Sequence, residues 1–444
     1  MKRLFSLFLM GIFACAHGQN TYAKLDTLLN AYTTTYKFNG TALIAKNGKI
    51  ILNKGYGYRH VEDSTKNTEN SIFQIGSVTK QFTAVIILKL QDEKKLNIQD
   101  KASKYFPDYP QADSFTIAQL MAHTAGVYNY TSDRDFMQNE VTKYASREKI
   151  FNIIRNKQLQ FKPGTDWAYS NSGYMLLGYI IEDVTHKPYY QVVRDYIFTP
   201  LHMDHSGFDF THLVNKDKAT GYFKLTETGS TASTIVDSSV SFAAGAIYST
   251  TADLYKWHQA LQHYKIIPKA TLEQAYTPVL HKYGYGLDID STQGKRMISH
   301  TGGIHGFTSI LTRIPEDDVC VILLNNAPGG LNKLSNSIVA ALYDQPYDIP
   351  RTRQAISVSE DVLKQYVGEY ELRPGFTIVF TVKDGALIGQ PTKQDPAQLY
   401  AEKEDYFFLK VVDAQVKFTR NEKNEVDGMV LYQNDNETKG KKIK

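Results

Sequence analysis

Gly76-Ser77-Val78-Thr79-Lys80-Gln81-Phe82-Thr83-Ala84-Val85-Ile86-Ile87-Leu88-Lys89-Leu90, residues 76–90, is the stretch from which the rest of the chain is read. After Gly76 comes a serine, a lysine three positions later, and then an apolar run. The run reads as a buried helix, so its first turn is held rigidly. Residues three apart share a helix face, which places the Lys80 amine beside the Ser77 hydroxyl. A serine hydroxyl is a poor nucleophile until a neighbouring base takes its proton, and this spacing supplies that base. The same turn is a helix N-terminus, whose free N–H groups favour developing negative charge.

The tetrapeptide alone is weak, since S-x-x-K is expected roughly once or twice by chance in a chain of this size. A second match, Ser146-Arg147-Glu148-Lys149, lies in a charged stretch and reads as a solvated helix start. Two further segments give Ser77 its context. Tyr169-Ser170-Asn171 follows the turn signal Phe161-Lys162-Pro163-Gly164 and precedes an apolar helix over about 172–183. His300-Thr301-Gly302-Gly303 ends a short strand that begins at Lys295, and Val319 to Asn325 reads as a second, buried strand. Another Y-x-N, Tyr432-Gln433-Asn434, has no helix after it.

Taken in order, Ser77-x-x-Lys80, Tyr169-x-Asn171 and His300-Thr301-Gly302 resemble the three boxes of the penicillin-recognising serine hydrolases, in particular the class C β-lactamase-like branch. The stretches Thr116 to Val127, Pro200-Leu201-His202-Met203 and Gly302 to Phe307 are also similar to segments of that family. The resemblance covers about residues 25–345. It implies an α+β fold, an antiparallel sheet sandwiched by helices of the β-lactamase/transpeptidase kind. It also implies that Ser77 attacks a carbonyl and forms an acyl-enzyme. Lys80 or Tyr169 accepts the Ser77 proton, and Tyr169 activates the deacylating water. Asn171 hydrogen-bonds Lys80 and the substrate amide, and the backbone N–H groups of Ser77 and Gly303 form the oxyanion hole.

His300, Thr301 and Gly302 are expected to contact substrate. His300 replaces the lysine of the family's third box, and a mostly neutral imidazole is a weaker anchor for a carboxylate. The expectation is therefore a D-amino-acid peptidase, carboxypeptidase or esterase, with a β-lactamase as one alternative. A penicillin- or peptidoglycan-binding sensor without turnover is the alternative of another class. His123 reads as a turn residue. His202-Met203-Asp204-His205 has metal-ligand spacing but overlays a family segment, so neither a metal nor a cofactor is expected. There is no H-E-x-x-H and no G-x-S-x-G elbow, which argues against a zinc peptidase or an α/β-hydrolase.

The chain has 444 residues and a formal charge of +4, which becomes +2 without Lys2 and Arg3. With no basic block before Lys439, a nucleic-acid partner has no support, and the expected partner is a small-molecule or peptide substrate. Residues 1–18 read as a signal peptide: Met1-Lys2-Arg3, an apolar run from Leu4 to Phe13, then Ala14, Ala16 and Gly18. This implies a periplasmic or secreted protein without a membrane span in the mature chain. Cys15 offers a lipid-anchor alternative, against which the bulky Phe13 counts. The second cysteine, Cys320, lies in an apolar run and reads as a core thiol.

Residues 19–343 form the expected hydrolase domain, opening with a helix over 21–36 and a hairpin around Asn47-Gly48. A mostly helical region is expected over 81–202, with strands returning from Ala243. Residues 344–361, with Pro346 and Pro350, read as a linker. Residues 362–444 carry at least five short strands separated by turn signals such as Asp384-Gly385, the pattern of a small antiparallel sheet or barrel. Its start, Tyr366-Val367-Gly368-Glu369-Tyr370, resembles a lipocalin-like domain. No catalytic constellation is visible in it, and the oligomeric state is left open.

Overall fold

A computed structural model describes residues 20–412, 414–433 and 436–444. The leader reading over 1–18, including Cys15, lies outside the described residues. The chain divides into two compact units. The first extends to Asp348 apart from residues 34–36 and 224–230; the second comprises 349–444 together with those two short segments.

The first unit is built on a six-stranded sheet. Its strands are β1 (Gly40–Lys46), β2 (Lys49–Tyr56), β3 (Asp288–Thr292), β4 (Lys295–Ile304), β5 (Phe307–Ile314) and β6 (Val319–Asn325). They lie in the order β2-β1-β6-β5-β4-β3, and every pairing is antiparallel. The N-terminal hairpin thus closes onto the last strand, with Gly40 opposite Asn325.

The sequence of β6 explains the layers. Successive strand side chains point to opposite faces. Val319, Val321 and Leu323 join a cluster with helix α1 (residues 20–34) and helix α5 (Asn332–Leu342). Cys320, Ile322 and Leu324 join the larger core on the other face, with α2 (Thr79–Asp92) and α3 (Asn171–Thr185). A strand covered on both faces has no use for polar residues, hence the unbroken apolar run. Cys320 is fully buried, as its setting predicts. Helix α2 is buried nearly all round, and its rings stack into the core, Phe82 on Trp257 at 4.4 Å between centroids.

One expectation, that strands return from Ala243, needs correction. Strands return at Tyr222, in the hairpin Tyr222–Thr226 and Gly229–Ala232, well before Ala243. That hairpin's second strand is wholly exposed, so no apolar alternation marks it. Ala243 instead lies in helix α4 (Ser238–Gly245), whose short run of small residues lacks a helical stripe. Among the described residues no helix is long and apolar enough to cross a membrane.

The second unit is a closed barrel of eight antiparallel strands, from β7 (Gly368–Arg373) to β14 (Asn436–Lys442). The sequence supplied five of them; Ala397–Lys403 was among those missed, because Gln398, Glu402 and Lys403 mask its alternation. Tyr366, Tyr370, Phe380, Phe407, Phe418 and Met429 are buried within the unit's own core. Tyr366 stacks on Phe418 at 4.3 Å, and Phe380 meets Phe418 edge-on at 5.1 Å. The interior is therefore filled by its own side chains, as small barrels are.

Candidate active site

Ser77 lies in the 3-10 turn Gly76–Val78 that leads directly into α2, and Lys80 lies on the first turn of that helix. Lys80 is fully buried. Its Nζ is 2.9 Å from Ser77 Oγ, 2.8 Å from Asn171 Oδ1 and 2.8 Å from the Ala244 carbonyl oxygen. Burial, with no other influence of comparable size, drives its pKa well below the ordinary lysine range. Its amine donates to the Asn171 and Ala244 carbonyl oxygens and stands within hydrogen-bond reach of the Ser77 hydroxyl.

Asn171 begins α3 and is locked in one orientation. Its Nδ2 donates to Thr131 Oγ1 at 3.2 Å, its backbone N–H to Asn129 Oδ1 at 3.1 Å, and its Oδ1 receives Lys80. The Tyr169 side chain interacts with that of Ser77, and its ring centroid is 4.8 Å from Lys80 Nζ. Burial pushes the Tyr169 phenol above the usual tyrosine range, although the Ser77 contact opposes the rise. The neighbouring charge that acts on it is Asp288, itself pushed up to about 6 by desolvation and Asp290. Tyr169 is thus a neutral phenol at neutral pH.

His123, read from sequence as a turn residue, holds the Tyr169 loop. Its backbone is left-handed, with φ of 59°. Its carbonyl accepts the Ala168 N–H at 3.1 Å, and its Nδ1 accepts the Ser170 N–H at 3.2 Å. The two residues flanking Tyr169 are therefore pinned by one histidine, whose ring lies 4.4 Å from the Tyr169 ring.

Strand β4 brings up the other wall. Its period of two places Thr301 and Gly303 on one face and His300 and Gly302 on the other. Thr301 is exposed on the strand but does not line the cavity beside Ser77. Gly302 is buried where a Cβ would stand 2.0 Å from the Ile75 carbonyl oxygen, so only glycine fits. Gly303 lines the cavity, with open space where a Cβ would be. Gly76 has φ of +50°, and a Cβ on it would lie 2.8 Å from the Gly303 nitrogen. Two glycines thus allow the Ser77 turn and the β4 edge to meet backbone to backbone.

His300, expected to contact substrate, faces the interior instead. It is 2% exposed. Its Nε2 is 2.9 Å from the Tyr283 hydroxyl and its Nδ1 2.5 Å from the Thr301 carbonyl oxygen. Nδ1–H therefore donates to the carbonyl, while Nε2 accepts from Tyr283. Burial, reinforced by Lys80, lowers its pKa to about 3, so the ring is neutral and no anion anchor. It forms a wall behind Tyr169, with 6.2 Å between ring centroids.

Ser77, Lys80, Tyr169 and Asn171 are thus brought together, with Gly303 across the cleft. Asn129, Thr131, Tyr283 and the Ala244 carbonyl escaped sequence reasoning. Among the described residues no cluster of histidine, cysteine and carboxylate side chains could hold a metal ion.

The constellation sits on a six-stranded antiparallel sheet packed between helices, and comparison with known proteins gives the family. Residues 25–343 match the family model described as Beta-lactamase, and the chain belongs to that family. Residues 352–444 match a domain of unknown function, DUF3471. The chain is 28% identical to Penicillin-binding protein 4* of Bacillus subtilis (strain 168), over 96% of this chain and all of that protein. It is 30% identical to the Teichoic acid D-alanine hydrolase of Staphylococcus aureus (strain MRSA252), over 70% of this chain and 79% of that protein. The structure of the octameric penicillin-binding protein homologue from Pyrococcus abyssi superposes with a TM-score of 0.67 at 24% identity. It covers 94% of this chain and 99% of that one, a likeness of fold.

The glycine contact gives a direct prediction. Gly76→Ala should retain the fold by circular dichroism but lower kcat by roughly 100-fold, the scale of one lost oxyanion donor. Its Cβ pushes the Gly303 N–H away from the Ser77 turn.

Proposed function

We propose that the protein is an exported serine hydrolase that cleaves an amide or ester through an acyl-enzyme on Ser77. The observation that carries this reading is the fully buried Lys80 amine 2.9 Å from Ser77 Oγ, with two carbonyl oxygens as its other hydrogen-bond partners. Lys80 takes the Ser77 proton as Oγ bonds to the substrate carbonyl carbon. The backbone N–H groups of Ser77 and Gly303 receive the oxyanion. Collapse breaks the bond to the leaving amine or alcohol, which takes up a proton relayed from Lys80 through Tyr169. Water, activated along the same path in reverse, then releases the acid.

Burial, which favours the uncharged form of each, supports Lys80 as base and Tyr169 as relay. A relative named for hydrolysing D-alanine from teichoic acid is consistent with ester or amide chemistry here. Export rests on the leader-like residues 1–18.

Within this class a D-amino-acid peptidase, carboxypeptidase or esterase is favoured over a β-lactamase. No cation replaces the lysine of the third box, since His300 is buried and neutral, and Asp288 puts negative charge near Tyr169. A carboxylate beside the scissile bond therefore finds no partner, which weighs against β-lactams and against a free C-terminal carboxylate alike, and leaves the D-amino-acid peptidase and esterase ahead of the carboxypeptidase. A panel of an N-acetyl-D-alanine ester, an N-acetyl-D-alanyl-D-alaninamide peptide, which has no free carboxylate, and nitrocefin tests the reading. The ester or peptide should be turned over with kcat/KM roughly tenfold or more above nitrocefin, the scale of one charge-assisted contact. Nitrocefin as the best substrate would contradict the preference, and no turnover of any member would contradict the hydrolase.

A further inference from the structure

The cavity that opens beside Ser77 has a volume of about 530 Å³, room for a side chain of aromatic size. Six apolar side chains line it: Met137, Phe223, Val236, Val240, Ile304 and Phe307. Among the described residues no lysine, arginine, aspartate or glutamate lines it.

The polar groups in the wall have partners already. The Tyr130 hydroxyl donates to the Val240 carbonyl at 2.5 Å, and the Tyr222 hydroxyl donates to Glu62 at 2.8 Å, away from the cavity. Asn171 is held by Lys80 and Thr131. Thr308 Oγ1 accepts from Asn325 at 2.8 Å. His305 is engaged through Nδ1 with Thr234 at 3.1 Å, and burial lowers its pKa, so it is neutral at pH 7. Ser241 differs. It is 8% exposed, it lines the cavity, and its hydroxyl has no hydrogen-bond partner.

A buried polar group without a partner is costly, and a buried charge without one costs far more. A ligand that brings a carboxylate or an ammonium into this cavity finds no counter-charge. One that brings an apolar side chain and a neutral polar atom fills the wall and satisfies Ser241. We infer that the cavity receives an uncharged acyl group with an apolar or aromatic side chain, and that Ser241 hydrogen-bonds a neutral polar atom of that group. The inference rests on the hydrolase reading above and narrows its substrate to N-blocked residues or plain acyl groups, excluding free amino acids and acyl groups with a second carboxylate. Ser241 acts here as a specificity residue; Ser77 and Lys80 keep the chemistry.

The test uses the full-length protein and three p-nitrophenyl esters that share a phenylalanyl core and a leaving group. One is N-acetylated, one N-succinylated and one has a free amine, each in both antipodes and assayed at about pH 6, where the amine is charged. Taking the faster antipode, kcat/KM for the N-acetyl ester should exceed that of each charged ester by at least about tenfold. Ser241→Ala should raise KM for the N-acetyl ester several-fold with little change in kcat, and should leave the charged esters as poor as before. Met137→Lys, on the cavity wall, should raise the succinyl-to-acetyl ratio by about tenfold or more. Equal or better turnover of either charged ester, or a succinyl-to-acetyl ratio unmoved by Met137→Lys, would overturn the inference while leaving the hydrolase reading intact. If no ester were turned over faster than by Ser77→Ala, the hydrolase reading would fail and this inference with it.

Discussion

Ser77→Ala should lower kcat/KM by roughly 10,000-fold or more on every substrate the wild type turns over, the scale seen when a covalent nucleophile is deleted. Removing one oxygen atom leaves the rest of the site standing. Lys80 loses one of three contacts and keeps its hydrogen bonds to Asn171 and the Ala244 carbonyl. Tyr169 stays pinned through His123, whose bonds go to the flanking backbone and not to Ser77. Substrate binding should therefore survive, so the loss should fall on kcat with KM changed only a few-fold. A loss shared equally with KM would mean that Ser77 binds substrate and does not attack it. Steady-state kinetics with a p-nitrophenyl ester, alongside a binding measurement with the non-hydrolysable ketone analogue, separates the two.

Lys80→Met should be the second large effect, roughly a 1,000-fold loss in kcat, because it removes the base and keeps the volume. Lys80 also sets the expected pH dependence. Its folded pKa is lowered by burial, so the amine is neutral, and active as a base, above that lowered value. Activity should be full on the alkaline side and fall as pH drops through the Lys80 pKa, well below the ordinary lysine range. In Lys80→Met the residual rate should lack that acidic limb. An acidic limb of unchanged position in the variant would assign the titration to another group. Tyr169 would not produce it, since its phenol is pushed upward and titrates in the opposite range.

What could be read from the sequence was whatever is local along the chain. The spacing of Ser77 and Lys80 needs one helical turn, and the apolar residues after them make that turn rigid. The run Val319 to Leu324 is apolar because both its faces are covered. Asn171 was recognisable because it opens a helix after a turn signal. The groups that escaped act across long separations. The Ala244 carbonyl that fixes Lys80 is 164 positions away, in a helix of small residues with no stripe to mark it.

His123 reaches Ser170 across 47 positions, and its part depends on a left-handed backbone angle that the sequence does not announce. His300 went the other way. The family resemblance placed it against substrate, but strand alternation and the Tyr283 hydroxyl turn it inward. The same alternation leaves glycine, with no side chain, at the cavity wall beside Ser77.

The most direct test of the acyl-enzyme is the intact mass of the protein, quenched in acid within seconds of mixing with the p-nitrophenyl ester of N-acetylphenylalanine. The account predicts a mass increase of one acyl group, mapped by peptide sequencing to Ser77, decaying as product appears and missing in Ser77→Ala. An acyl group on another residue, or an equal adduct in Ser77→Ala, would contradict it.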